Sequence, residues 1–237
     1  VVHLAGATIG ARWTDRRRAE IRASRVDATR ALVAELARLP RPPRVLVSAS
    51  AVGYYGDRGD EELAEDSAPG SGFLAGLAVE WEAEARRAEA LGVRVVLLRM
   101  GIVLGRGGGV LGRLVPLYRL GLGGAPGNGR QWWSWIALDD LLALMRRALI
   151  DEALRGPLNA VSPAPARAGE FARALGRALH RPALAPAPAA MLRLAFGAMA
   201  DEMLLASQCV RPARLLERGF EFRHGALDGA LRAACES

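Results

Sequence analysis

Apolar residues follow two rhythms along this chain. Short continuous runs occur at Val1 to Leu4, Val45 to Val47 and Val93 to Met100, the last broken only by Arg94 and Arg99. Runs of this length predict strands buried on both faces. Between the second and third runs, Leu74, Leu77, Trp81, Ala85 and Ala88 recur at three- and four-residue steps and define one apolar helix face. Gly92 stands where a left-handed C-terminal cap belongs. An earlier helix is expected from Thr14 as N-cap, with Asp15 in its first turn, to about Leu39, where Pro40, Pro42 and Pro43 stop it.

Strand, helix, strand, helix, strand with continuous apolar strands predicts an α/β fold, a Rossmann-type parallel sheet with helices on both faces. Ligands of such sheets collect at the carboxyl ends of the strands. Gly6, Ser48 to Ser50 and Gly101 fall there. After Gly101 the pattern changes. Gly105 to Gly112, Leu114 to Leu122 and Gly123 to Gly127 read as a less regular, substrate-side stretch. Trp135-Ile136 begins a strand, Asp139-Asp140 cap a helix through Leu149, and Gly156 to Val161 returns to the sheet. A Glu170–Leu179 helix, a connector with Pro182, Pro186 and Pro188, and a helical tail follow. The expected division is a sheet domain over 1–105 with 139–161 returning to it, and a smaller, mostly helical region over 106–138 and 162–237.

Composition narrows the classes. Of 237 residues 51% are hydrophobic and only 5% aromatic, so the apolar material is rich in alanine and favours helices. The net charge of +7 comes entirely from arginine, since the chain has no lysine, and the arginines alternate with acids as at Glu80 to Arg87. Such scatter is not the single-sign stripe of a nucleic-acid surface. Two cysteines, Cys209 and Cys235, make no disulfide framework, and no Cys/His group has metal-ligand spacing. No apolar run is long enough to span a bilayer. The expectation is a cytoplasmic protein without membrane or nucleic-acid partners.

Gly107-Gly108-Gly109-Val110-Leu111-Gly112 spells G-x-G-x-x-G. A dinucleotide fingerprint needs a strand just before it, a helix after it and an acid about 20 residues on. Here the preceding strand is expected to have ended, and Gln131 to Trp135 stands in place of the acid. A flexible loop is the expectation.

An ordered series of motifs resembles the atypical extended short-chain dehydrogenase/reductases, the NAD-dependent epimerase/dehydratase-like proteins also described as nucleoside-diphosphate-sugar epimerase family proteins. The series is Val2 to Ala7, Arg12-Trp13-Thr14 with Ser24-Arg25, Ser48 to Gly56, Trp81-Glu82 and Arg99 to Gly105. It continues through Leu120 to Gly124, Ser134-Trp135-Ile136 with Asp139-Asp140, Ser207 to Pro212 and Gly219 to Phe222. The last two resemble that family's C-terminal extension. The resemblance implies NADP or NAD across the strand ends. His3, Leu4, Ala5 and Gly6 would line its middle, Glu20 and Arg25 its ribose or nicotinamide side, and Gly101 and Ile102 the nicotinamide; Ser48 joins them at the second strand end.

Departures from the pattern bear on chemistry. The wider superfamily pairs a tyrosine with a lysine four residues later, the lysine lowering the phenol's pKa for proton transfer. Phe73 to Leu77 stands in that place, and phenylalanine transfers no proton. Ser50 and Tyr54 are the nearest surviving hydroxyls and the candidate catalytic groups. Ala137 replaces a histidine usual in the family. The glycine-rich first turn that seats the pyrophosphate is expected upstream of Val1, so the chain reads as N-terminally truncated and lacking the first βαβαβ half. Its Val1–Leu4 edge is then expected to self-associate, and the chain alone to bind dinucleotide weakly. An NAD(P)-dependent oxidoreductase or epimerase-like enzyme acting on an unidentified small molecule is the leading expectation; a non-catalytic NADP-binding sensor or interaction protein is the alternative.

Overall fold

A computed structural model describes residues 1–236. Its centre is a four-stranded, all-parallel sheet of β1 (Val2–His3), β2 (Val45–Ala51), β3 (Arg94–Met100) and β4 (Gly156–Ala160), in that spatial order. Register aligns Val2 with Val47, Val47 with Val96, and Leu98 with Leu158. Alternation along the strands sends side chains to two cores. Leu46, Val95 and Leu97 face Val33 and Ala85 from the helices of residues 15–38 and 73–86, and Ala88 from the 3-10 turn Arg87–Leu91 that extends the second. Val45, Val47, Val96 and Leu98 face Leu141, Leu144 and Ala148 of the helix Leu138–Ile150. Both faces of the sheet are thus covered, and its strands read as continuous apolar runs for that reason.

The expected helix boundaries hold where cap chemistry was visible. Thr14 accepts a hydrogen bond from Arg17 N at 3.2 Å. The helix then runs from Asp15 to Arg38, with one π-helical turn at Ala23–Asp27. Gly92 ends the Trp81 helix at φ +73, a left-handed conformation that glycine adopts without cost.

Three expectations change. Leu114 to Leu122 is not irregular: Gly109–Arg119 is a helix, because Leu111, Leu114, Val115 and Tyr118 share one face and pack on Phe171 and Leu175. The helix tolerates Pro116. The glycine string does follow a strand, Ile102–Leu104, and from Gly109 onward it is the first turn of this helix rather than a flexible loop. That strand, however, pairs only with Trp135–Ala137 in a separate two-stranded ribbon and lies outside the main sheet. Asp140 does not cap its own helix. It is buried and accepts Arg223 N and His224 N at 2.8 and 3.0 Å, tying down the C-terminal tail.

The tail is sewn into the sheet domain a second time by Cys209–Val210, which pairs in parallel with Glu62–Leu63. Val2 of β1 and its flanking residues Val1 and Leu4 are 41%, 44% and 52% exposed, so the edge of the sheet presents apolar side chains to solvent. Among the described residues no helix is long and apolar enough to cross a membrane.

Candidate functional site

Because all four strands are parallel, the chain leaves each of them on one edge of the sheet. Leu4, Ala5 and Gly6 follow β1 there, Val52 to Tyr55 follow β2, and Gly101 and Ile102 follow β3. Leu4, Ala5 and Gly6 are exposed and form an open ledge. The ledge is held from beneath. Ala7 N donates to Ser24 Oγ at 2.9 Å, and Arg25 Nη1 donates to Ala7 O at 3.0 Å. The Arg25 guanidinium also lies 5.4 Å from the centre of the Trp81 ring. A Cβ on Gly6 would come within 2.9 Å of that guanidinium and would displace it from its present position. Gly101 is required for a similar reason: its Cβ would sit 2.4 Å from Ser134 O, where the chain turns off the sheet into the ribbon.

The helix that follows the ledge is rich in arginine. Arg16, Arg18 and Arg25 have no carboxylate partner among the described residues, while Arg17 pairs with Glu20 at 2.6 Å. Burial, aided by Arg17, pulls the Arg25 guanidinium below its ordinary pKa. Glu20 itself is exposed.

Other residues that the sequence pointed to have inward roles. His3 is buried and its Nε2 lies 3.0 Å from Thr29 Oγ1, which also accepts Trp81 Nε1 at 2.9 Å. Ser48 is fully buried, its hydroxyl 3.3 Å from Ala49 O. Ser50 is buried and donates to Glu82 Oε1 at 2.7 Å. Tyr54 lies flat against Arg99, its ring centre 3.5 Å from the guanidinium carbon.

Ser50 and Tyr54 are therefore parts of a buried polar network that sequence reasoning missed. Arg99 Nε and Nη2 bind Glu82 Oε1 and Oε2 at 2.8 and 2.9 Å, a bidentate pair. Arg99 Nη1 reaches the Tyr55 hydroxyl at 3.0 Å, and that hydroxyl donates to Asn159 Oδ1 at 2.7 Å. Glu65 accepts Asn159 N at 3.0 Å. Burial pushes the Tyr55 phenol up to about 12. Burial pulls Arg99 down, but Glu82 and Tyr55 outweigh it and hold the guanidinium above its ordinary value. The signal was present: an arginine within an apolar strand, and a glutamate beside Trp81 on the apolar helix face.

Phe73 starts the helix Phe73–Arg86 and packs edge-on against Trp13, ring centres 5.2 Å apart. The helix has Gly72 as N-cap and no side-chain cap of its own. Glu202 supplies one from the C-terminal extension, accepting Phe73 N and Leu74 N at 3.1 and 2.8 Å. Beyond Phe73 lies an apolar cavity of about 590 Å³ between the Thr8–Gly10 loop, the helix Gly109–Arg119 and residues 185–204. Its walls share Ile9, Phe196, Met199 and Met203 with the cluster that holds Phe73 and Met100, so the cavity adjoins the ledge. No group of three His, Cys, Asp or Glu among the described residues could hold a metal ion.

Residues 1–157 match the model of the NAD dependent epimerase/dehydratase family, well over half of the chain. The chain belongs to that family. Residues 187–234 match a second model, a domain of unknown function designated DUF1731. Epimerase family protein MT2273 of Mycobacterium tuberculosis is 42% identical over 232 residues, covering 98% of this chain and 76% of that protein. The crystal structure of human epimerase family protein SDR39U1 with NADPH superposes with a TM-score of 0.93 at 37% identity, over 100% of this chain and 81% of that one. A nucleoside-diphosphate sugar epimerase from Corynebacterium glutamicum superposes at 0.77 with 35% identity, over 99% of this chain and 45% of its own. The two solved structures share the fold described above, and the second matched region includes the segment that supplies Glu202 and part of the cavity wall.

Proposed function

We propose that this chain is an NADP-binding, epimerase-family oxidoreductase whose cofactor lies along the ledge at the strand ends. The observation that carries the reading is the exposed Leu4-Ala5-Gly6 backbone braced by Arg25, beside arginines with no carboxylate partner. Bare backbone allows close approach, and unpaired guanidinium groups favour a phosphate-bearing ligand. The human relative crystallised with NADPH supports the same reading. His3 to Gly6 would border the middle of the cofactor, and Gly101 and Ile102 its nicotinamide end. Arg25 would hold the ledge in place, with Glu20 at its outer margin and Ser48 sealing the sheet below. When bound, the cofactor supplies hydride exchange at the nicotinamide.

Within the protein, Phe73 and Trp13 exclude water beside that end. Ser50, committed to Glu82, and Tyr54, stacked on Arg99, position the second strand end. NADPH at millimolar concentration is expected to slow hydrogen exchange in residues 4–7 and 100–102. Unchanged exchange in both segments overturns the reading.

A second reading, a non-catalytic NADP-binding sensor, is favoured by Phe73 in a chain without lysine. NADPH-dependent protection at the ledge without NADPH oxidation across a panel of carbonyl compounds supports the sensor; oxidation excludes it.

A further inference from the structure

The cavity beside the ledge has the size of a small-molecule site, about 590 Å³. Its chemistry is unlike that required by a sugar nucleotide. A diphosphate and several hydroxyls need a matching set of donors and acceptors, because burying them unpaired costs several kcal/mol each. The walls here are aliphatic and aromatic, with Leu114, Phe171, Phe196 and Met203 from four separate segments. The Tyr118 hydroxyl is already spent on Ala172 O at 3.1 Å. Polar groups are few. The Trp133 indole N–H is buried with no hydrogen-bond partner. Arg113 is exposed, has no carboxylate partner among the described residues, and donates to Gly10 O. Leu117 and Leu122 belong to the wall and are also 43% and 59% exposed, so the apolar surface continues outward to solvent.

We propose that this cavity is the substrate site and takes a molecule with an apolar body, a polar or anionic end beside Arg113, and a hydrogen-bond acceptor for Trp133. Only the word substrate rests on the cofactor reading above; the binding chemistry does not. Burial of an alkyl or aromatic body against these walls supplies the affinity. Arg113 then orients the molecule from the open side. Because Phe196, Met199 and Met203 also pack around Phe73, the inner end of such a molecule abuts the place where the nicotinamide would lie.

The test uses 8-anilinonaphthalene-1-sulfonate, an aromatic anion that fluoresces when it enters an apolar site. Expected are one saturable site on the chain, displacement by dodecanoate, and no displacement by ~1 mM UDP-glucose. Leu114→Trp and Ala187→Trp fill the cavity from two different elements, and each is expected to weaken the probe about tenfold or more. Arg113→Gln, at an exposed position, is expected to weaken it about threefold. Far-ultraviolet circular dichroism and melting temperature confirm which variants fold. Displacement by UDP-glucose, or parent-like affinity in every folded variant, overturns the proposal. Hydrogen exchange with NADPH is measured on the same samples. Loss of ledge protection with probe binding intact defeats the cofactor reading alone. Ledge protection without a displaceable probe site defeats this one alone.

Discussion

Glu202 closes the N-terminus of the helix that begins at Phe73, across a separation of 129 residues. Its two carboxylate oxygens take two of the backbone N–H groups that the glycine N-cap leaves without a side-chain acceptor. A carboxylate there also meets the positive end of the helix dipole. One side chain thereby fixes the C-terminal segment against the helix Phe73–Arg86.

Replacing Glu202 by alanine removes this cap and is expected to cost about 1 kcal/mol of stability, in the range of lost caps. Urea denaturation measures it. Hydrogen exchange should rise at Phe73 and Leu74 more than in β2 or β3. Equal changes throughout the chain would sink the prediction.

Arg99 and Glu82 are both buried, at 2% and 4% exposure. Removing one partner strands the other charge in the core, so Glu82→Met or Arg99→Met is expected to destabilise by about 3–5 kcal/mol. The double substitution should recover much of that loss. A double-mutant cycle by chemical denaturation checks the pair, and strict additivity would show that the two charges do not interact.

Burial lowers the His3 pKa from its ordinary value of 6.5. The unfolded chain then binds the proton more readily, so the stability this group contributes is present above pH 6.5 and is lost as pH falls below it. Denaturation midpoints between about pH 5 and 7.5 should show this slope, and His3→Asn should flatten it. An unchanged slope in the variant would assign it to other groups.

Tyr55 and Tyr118 are each pushed by burial from 10.0 to about 12. Their neutral forms are favoured in the folded state, so this stability is complete below pH 10 and declines as pH rises towards 12. A spectrophotometric titration is expected to show both phenols ionising only in that upper range, together with loss of structure. Ionisation of all tyrosines near 10 in the folded protein would contradict it.

Arg25→Ala removes the brace under the ledge. Exchange at Ala7 is expected to accelerate, and NADPH affinity to fall by about tenfold, the scale of a lost charge-assisted contact. Arg41→Ala, on the exposed proline-rich connector, is the control and should change neither.

The strands, the Thr14 cap, the Gly92 cap and the Trp81 helix were legible in the sequence, because each follows from a local rule of period, capping or glycine conformation. The resemblance also led correctly to the family. The Gly109–Arg119 helix was obscured by glycine and Pro116, two poor helix formers whose cost is offset by packing against Phe171 and Leu175. Asp140 looked like a cap from its position, yet it serves the tail 83 and 84 residues away.

Local patterning by itself determined most of the strands and helices, and hence a parallel sheet whose chain leaves every strand along one edge. Only the tertiary structure decided what the polar side chains at that edge do. Ser50 and His3 face inward because a buried hydroxyl or imidazole must find a partner, and the partners Glu82 and Thr29 come beside them only on folding. The cavity is likewise built from segments distant in sequence, so no local pattern could announce it.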